Sequence, residues 1–166
     1  MGVIRVVLVV LVATMLAGCG ERSKFLSYDG PEVTRIVVWK DDRRMRLFHH
    51  NQVLMDVPIQ LGFAPVGHKQ RRGDGRTPEG EYIIDRRNPN SSFHLSLGIS
   101  YPEVHDWMAA QEAGDDPGGD IFIHGRGPNY RNARGDWTAG CIAVTDRQME
   151  KIYAMVRTGT PITILP

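Results

Sequence analysis

The chain has 166 residues, with 20 Lys and Arg against 19 Asp and Glu, and 42% of its residues are hydrophobic. This length suits a single domain with a full hydrophobic core and leaves room for little else. The near-neutral charge argues against the strong positive field that draws proteins to nucleic acid, so no nucleic-acid partner is expected.

The N-terminal residues have the pattern of an export signal. Arg5 precedes an apolar stretch, residues 6–16, which is too short to span a bilayer and has the length of a signal-peptide core. The overlapping segment Leu16-Ala17-Gly18-Cys19 resembles a bacterial lipobox, which implies cleavage before Cys19 and lipid on its sulfur. The alternative is an ordinary secretory signal that ends near a cysteine by chance. The pattern therefore predicts a signal peptide over residues 1–18.

A polar tether is expected to follow the signal. Residues 19–31 are rich in Ser, Asp, Gly and charge, which suits a short connection between a lipid on Cys19 and a folded domain. Gly20 stands where an aspartate would oppose outer-membrane sorting, by resemblance to sorted lipoproteins. We expect an exported protein that is lipid-anchored to a bacterial membrane, the outer membrane where there are two, and faces the periplasm or the cell wall.

Residues 32–166 are predicted to form one mostly-β or α+β domain. β-branched and alternating apolar residues predict strands at residues 34–40, 44–49, 52–61, 81–87, 93–99 and 161–165. Asp41-Asp42 and His50-Asn51 are suitable turns between the first three, so the domain is expected to begin with an antiparallel meander.

One or two helices are expected beside the strands. Three apolar side chains recur at helical spacing within residues 102–113, namely Val104, Trp107 and Met108. Near the C-terminus, Thr145 followed three positions later by Gln148 forms a capping-box pattern and predicts the start of a second helix. Between Gly62 and Gly80 the composition changes to glycine, proline and charge, and a loop of that length between strands predicts a functional surface loop.

Cys141 is the residue that most strongly indicates chemistry. With Cys19 assigned to lipidation, it has no partner for an internal disulfide, so it is either a reactive thiol or a small buried hydrophobe. His124 closes the apolar segment Ile121-Phe122-Ile123 and is the candidate base for a thiolate nucleophile. Gly140 directly before the cysteine lets nearby backbone amides point at a developing oxyanion.

These residues resemble the signature of the L,D-transpeptidase catalytic domain family (YkuD-like). The matching elements are Gly75-Arg76-Thr77-Pro78-Glu79-Gly80-Glu81-Tyr82, His124-Gly125, Gly135 and Thr138-Ala139-Gly140-Cys141. Four elements in order are far more specific than an isolated Gly-Cys pair. The resemblance implies a β-sandwich or barrel with one or two packed helices, and a cysteine acyltransferase acting on peptidoglycan stem peptides.

By this resemblance, Cys141 attacks a carbonyl between an L-centre and a D-centre, and His124 serves as base and then as acid. An amine acceptor or a wall-linked protein would give transfer, and water would give hydrolysis. Thr138, Ala139, Gly140 and Gly125 are the expected oxyanion and positioning residues.

Two departures from the family pattern leave the reaction's outcome open. Many members have arginine after the Gly-Cys-Ile element and histidine between the Ser/Thr and the Gly, whereas this chain has Ala143 and Ala139. The lost cation has three candidate replacements between the two motifs, and the sequence does not choose among them: Arg126, Arg131 and Arg134.

The remaining predictions concern the cleft and the alternatives. Tyr101 and Trp107 offer apolar faces for a sugar-peptide polymer. The histidines show no paired spacing for a metal ion, and no metal and no cofactor are expected. The leading function is cell-wall crosslinking or remodelling by transpeptidation. The alternatives are a peptidoglycan amidase that uses the same Cys-His site to release wall-linked protein or peptide, and a non-catalytic wall-binding lipoprotein.

Overall fold

The computed structural model describes residues 22–166, and the predicted signal peptide, lipobox and Cys19 lie outside these residues. Within this range, no helix has the length and apolar character needed to cross a membrane. The strands are β1 (Arg35–Trp39), β2 (Arg44–His49), β3 (Gln52–Pro58), β4 (Gly80–Asn88), β5 (Ser96–Ile99), β6 (Phe122–His124), β7 (Ile142–Ala143) and β8 (Pro161–Leu165). The helices are α1 (Val104–Glu112) and α2 (Asp146–Met155).

The predicted antiparallel meander is present as β1, β2 and β3. Alternate side chains of β1, Ile36 and Val38, are fully buried, as the period-two pattern requires for a strand with one face on the core. The turns contain Arg43 and His50 at positive φ, a conformation that tight reversals commonly need.

The strands form one sheet in the order β3-β2-β1-β8-β4-β5-β6-β7, in which β1–β8 and β6–β7 are parallel and the other pairs antiparallel. The two ends of this order meet, because Gln60, just beyond β3, and Ala143 in β7 exchange backbone hydrogen bonds of 2.9 and 2.8 Å. The sheet therefore curls into a half-barrel with two helices, which confirms the predicted fold class. Its interior is filled by aliphatic side chains from nearly every strand.

The two helices differ in how they meet the sheet. Helix α2 begins as predicted, with the Thr145 hydroxyl accepting from the Gln148 N–H, and it buries Met149, Ile152 and Tyr153. Helix α1 also forms, but its three apolar side chains are exposed and its buried residues are Asp106 and Ala110. Asp106 faces inward because the Tyr82 hydroxyl and the His68 ring reach its carboxylate, at 3.3 and 3.1 Å.

Strand β3 ends three residues earlier than predicted, and β5 is also shorter than predicted. β5 begins at Ser96, although the pattern predicts extended structure from Phe93. The interruption is at His94, whose φ of 78° is incompatible with a strand. Residues 89–95 therefore form a loop between β4 and β5, which we call the cavity loop.

Candidate active site

Cys141 and His124 are brought together by neighbouring parallel strands. His124 is the last residue of β6, and Cys141 directly precedes β7. Both side chains line one cavity of about 250 Å³, the first cavity, with Asn88, Ser91, Ser92, Phe93, Ser96, Asp120 and Phe122. The two residues that the sequence pairs as nucleophile and base thus face the same space.

The His124 ring is held in one tautomer. Its Nδ1 lies 2.5 Å from the Gly125 carbonyl oxygen, which can only accept, so Nδ1 carries the proton and Nε2 keeps a lone pair. The residue is 3% exposed, and this burial lowers the pKa of His124, against the smaller opposing effect of the Gly125 hydrogen bond. At neutral pH the imidazole is therefore neutral and able to accept a proton.

Three aromatic side chains surround His124. Its ring centroid lies 4.5 Å from that of Phe93 and 5.8 Å from that of Trp137. Tyr130 stacks on Trp137 at 4.4 Å. We call Phe93, Tyr130 and Trp137 the aromatic wall. The sequence offered no signal for it, because its members come from two separated loops, residues 89–95 and 125–141, with no common period.

The Cys141 thiol is neutral in the free protein. Burial raises the pKa of Cys141 to about 11, and Asp120 adds to this, while a Phe122 backbone hydrogen bond and the positive charges of Lys69 and Arg86 act in the opposite direction. The Sγ lies 3.4 Å from the Asp120 carbonyl oxygen, to which the thiol donates. A preformed thiolate–imidazolium pair is therefore not favoured.

The loop before the nucleophile is fixed by Thr138. Its hydroxyl donates to the Cys141 carbonyl at 2.7 Å and accepts from the Gly140 N–H at 3.2 Å. Gly140 has a φ of 134°, and a Cβ there would lie 2.6 Å from the Arg76 carbonyl oxygen. Glycine is therefore required at position 140 for both conformation and space.

Gly125 is required by close packing. A Cβ there would lie 2.6 Å from Asp146 Oδ1 and 2.8 Å from the Phe93 carbonyl oxygen. The same Oδ1 accepts from the Arg126 and Gly127 N–H groups at 2.7 and 2.9 Å. Asp146, the first residue of α2, thus fixes the backbone that follows the histidine. Sequence reasoning missed it, because its partners are about twenty residues away.

Cys141 also borders a second cavity, of about 350 Å³. Its other lining residues are Lys69, Arg72, Gly73, Gly118, Gly119, Asp120, Ile121 and Ala139. The first three belong to the loop over residues 62–80, which the structure places at the site. The exposed Ala139 borders this cavity, whereas Ala143 is fully buried in β7.

The loop over residues 62–80 is pinned from beneath by Lys40. This lysine is 1% exposed, and its Nζ donates to the Gly67 and Thr77 carbonyls and to Glu79 Oε1 at 2.6, 2.9 and 2.8 Å. Desolvation lowers the pKa of Lys40, while Glu79 favours its charged form. All three ammonium donors are thereby used, as a buried charge requires.

The cations near Cys141 are not those singled out from the sequence. Arg126, Arg131 and Arg134 are absent from the linings of both cavities, and Arg126 Nη1 instead donates to the Arg131 carbonyl at 3.2 Å. Lys69 and Arg72 line the second cavity, and Arg86 approaches Asp120 at 3.2 Å. These three come from the long loop and from β4, whose charges the sequence presents as ordinary solvated residues.

Tyr101, a predicted substrate contact, lies away from both cavities beside Cys141. Tyr101 is 3% exposed and donates to the Pro117 carbonyl at 2.9 Å, so it lies in the core and not in either cavity beside Cys141. Across residues 22–166, no three His, Cys, Asp or Glu side chains come close enough to hold a metal ion.

The sequence matches the YkuD family, described as the L,D-transpeptidase catalytic domain, over residues 33–164. The chain belongs to this family. A curated relative is YafK from Escherichia coli (strain K12), which is described as an L,D-transpeptidase. The two sequences are 27% identical over 128 residues, which cover 73% of this chain and 46% of YafK.

Solved structures share the fold. The helical cell shape determining protein Pgp2 of Campylobacter jejuni is 26% identical with a TM-score of 0.61, covering 88% of this chain and 51% of Pgp2. An L,D-transpeptidase from Mycobacterium smegmatis is 14% identical with a TM-score of 0.54, covering 81% of this chain and 59% of its own, and shows the fold alone. The chain spans about half the length of the relatives it matches.

Proposed function

We propose that this chain is a cysteine acyltransferase that acts on peptidoglycan stem peptides through an acyl-enzyme on Cys141. The observation that carries the proposal is the shared cavity of Cys141 and His124, with His124 neutral and its Nε2 unprotonated. Membership of the L,D-transpeptidase catalytic domain family supports the substrate class.

The reaction begins with a neutral nucleophile and a neutral base. As Cys141 Sγ attacks the carbonyl carbon, His124 Nε2 takes the thiol proton, and the carbonyl oxygen becomes an oxyanion. The imidazolium then gives its proton to the departing amine, which leaves a thioester on Cys141. An incoming amine or water attacks this thioester, loses a proton to His124, and restores the thiol.

The backbone around Cys141 supports oxyanion stabilisation. The Gly140 N–H is already bonded to Thr138 Oγ1, so we assign the oxyanion contact to the Cys141 N–H immediately before β7. Thr138 fixes the same peptide by donating to the Cys141 carbonyl. Thr138 and Gly140 are therefore positioning residues in this proposal, and Gly125 keeps the base in place.

Hydrolysis is the second candidate, and the composition of the second cavity favours it. Ala139 borders this cavity with a methyl group, so no second imidazole stands there to activate an amine, and Ala143 is buried. Arg72 lines this cavity with an exposed guanidinium, and we assign it, together with Arg86, the binding of a stem-peptide carboxylate. Lys69 is buried and paired with Asp74 at 2.8 Å, so it is not assigned to the substrate. Water attack on the same thioester gives an amidase that releases wall-linked protein or peptide.

Mass analysis of wall fragments separates these functions. Fragments are incubated with the full-length protein, with and without an added amine, and compared with Cys141→Ala and His124→Gln. New crosslinks or amine adducts indicate transfer, and water-only products indicate hydrolysis. The matched control is His105→Gln, since His105 is exposed and lies outside both cavities. Products that persist in Cys141→Ala contradict the mechanism, and no product from any protein favours the wall-binding lipoprotein.

We also propose that the protein is exported and lipid-anchored through Cys19, with the outer membrane as the expected location. The support is the lipobox-like segment that ends at Cys19 and the polar residues after it. The mass of the mature chain tests this directly. A lipid-modified mass that is lost in Cys19→Ser is expected, whereas an unmodified mature chain contradicts the anchor.

A further inference from the structure

The residues that lead into the domain lie against it. Residues 22–28, which we call the N-terminal strap, contact helix α2 and the cavity loop. Arg22 Nη2 lies 3.5 Å from Glu150 Oε2, and the Phe25 and Tyr153 ring centroids are 6.4 Å apart. The strap therefore has defined partners on α2.

Lys24 joins the two ends of the cavity loop. Its Nζ donates to the Pro89 carbonyl at 2.7 Å and to the His94 carbonyl at 3.0 Å. Lys24 is half-buried, so these charged hydrogen bonds are partly shielded from water. One ammonium group thus closes a loop that has no strand pairing of its own over residues 89–95.

The end of the loop that Lys24 holds is the unusual one. His94 adopts a φ of 78°, which side chains with a Cβ rarely accept unless several contacts impose it. Two such contacts exist, because Lys24 binds the His94 carbonyl and Glu150 Oε1 lies 3.1 Å from His94 Nε2. Glu150 is also the residue that Arg22 approaches, so the strap supports both contacts.

The constrained residue directly follows Phe93, whose ring lies on the catalytic histidine. The Phe93 and His124 centroids are 4.5 Å apart, and the Phe93 carbonyl packs where a Cβ on Gly125 would lie, at 2.8 Å. A change in the backbone at His94 therefore moves both the ring that covers His124 and the atoms against the residue after it. The path from Lys24 to His124 needs only this one loop.

We propose that Lys24 is a positioning residue and that the N-terminal strap holds the cavity loop in the geometry that the active site requires. The proposal rests on the proposed function for its activity readout, and on the structure alone for its conformational readout. In this proposal the N-terminal segment shapes the active site as well as serving as a tether.

The test compares Lys24→Met with Lys24→Arg, in the full chain carrying Cys19→Ser so that Cys141 is the single thiol. Methionine keeps the aliphatic stem and removes the donors, whereas arginine keeps donors for both carbonyls. Lys24→Met is expected to increase hydrogen exchange in residues 89–95, to speed alkylation of Cys141 at pH 8 several-fold, and to lower kcat by about tenfold. Lys24→Arg is expected to recover most of each change.

Arg157→Met is the charge-removing control, because Arg157 is an exposed cation just beyond α2 that lies outside both cavities beside Cys141. It is expected to leave all three readouts unchanged. The proposal is overturned if Lys24→Met matches the unsubstituted chain in exchange and alkylation, or if it lowers the thermal midpoint while kcat stays unchanged in the folded protein. Exchange and alkylation need no turnover, so they test the strap even if wall fragments prove not to be substrates.

Discussion

The two cavities that flank Cys141 are built from different materials. The first is lined by Phe93 and Phe122 together with small polar side chains, and the Phe93 and Trp137 rings of the aromatic wall pack against His124. The second is bounded by glycine backbone and charged side chains of the loop over residues 62–80, which the buried Lys40 pins to the sheet. The apolar side sets the protonation states of base and nucleophile, and the charged side suits the recognition of ionised groups.

The largest effect is expected from removing the Lys40 ammonium group, which holds the loop of the second cavity in place. Lys40→Met leaves the Gly67 and Thr77 carbonyls and the Glu79 carboxylate without their shared donor. We expect a loss of about 3 kcal/mol in the free energy of unfolding, at the lower end for a broken buried ion pair because Glu79 can reach water. Urea denaturation measures it.

Arg44→Met is the control for Lys40→Met, since it breaks the exposed pair with Asp56. Its expected cost is below about 1 kcal/mol. Equal losses in the two variants would show that Lys40 carries no special role in holding the loop.

The next effect is expected where the second cavity's loop meets the nucleophile. Gly140→Ala places a Cβ against the Arg76 carbonyl at a φ of 134°, so the peptide before Cys141 must move. Activity on wall fragments is expected to fall by about a hundredfold, the loss typical of a displaced oxyanion donor. Gly135→Ala controls for backbone strain, because Gly135 also has positive φ but has open space around its Cβ position. Similar losses in both would assign the effect to strain alone.

The aromatic wall is expected to control the reactivity of Cys141. Because burial raises the pKa of Cys141 to about 11, its alkylation by iodoacetamide is expected to be slow at pH 7 and to rise about tenfold per pH unit until near that value. Phe93→Ala admits water, which lowers the pKa of the thiol and raises that of His124. Alkylation at pH 8 should become several-fold faster, and the acidic limb of activity should move to higher pH. An unchanged alkylation profile would show that the ring does not set the environment.

The smallest effect is expected at the outer edge of the aromatic wall. Tyr130 is exposed and contacts the other two rings of the wall, stacking on Trp137 at 4.4 Å and lying 5.5 Å from Phe93. A double-mutant cycle of Tyr130→Ala and Trp137→Ala, read by urea denaturation, should give a coupling of about 1 kcal/mol. Additive effects would mean that the stack contributes no stability, and that Trp137 is held by its 3.0 Å hydrogen bond to Gln60.

Local patterns predicted the elements and singled out Cys141 and His124, which line one cavity in the structure. The meander and the Thr145–Gln148 cap follow from alternation and capping, both of which act over a few residues. The closure of the half-barrel depends on the pairing of Gln60 with Ala143, which lie far apart in the sequence. Residue spacing does not predict such a pairing, so the barrel-like fold was expected only from the family resemblance. His124 and Cys141 were identifiable because the chemistry of a thiol nucleophile needs a base and a glycine-flanked turn.

What sequence reasoning missed are contacts between distant segments. Lys40 is a single lysine at the end of a strand, and nothing local distinguishes it from a solvated residue. Asp106 of α1 faces the protein core because the Tyr82 hydroxyl and the His68 ring bind its carboxylate. The apolar side chains of α1 therefore point to solvent, although such side chains usually face the core. The polar residues expected to be a simple tether contain Lys24, whose partners lie 65 and 70 positions away.

The neutral state of Cys141 has a consequence for how long the protein stays usable. Peroxide and disulfides react with thiolates and far less with thiols, so a group whose pKa is near 11 is almost entirely in its unreactive form at pH 7. The burial that raises the pKa of Cys141 thereby also protects the sulfur from oxidation. An activated cysteine stored as a thiolate would be spent on the first oxidant that reached it.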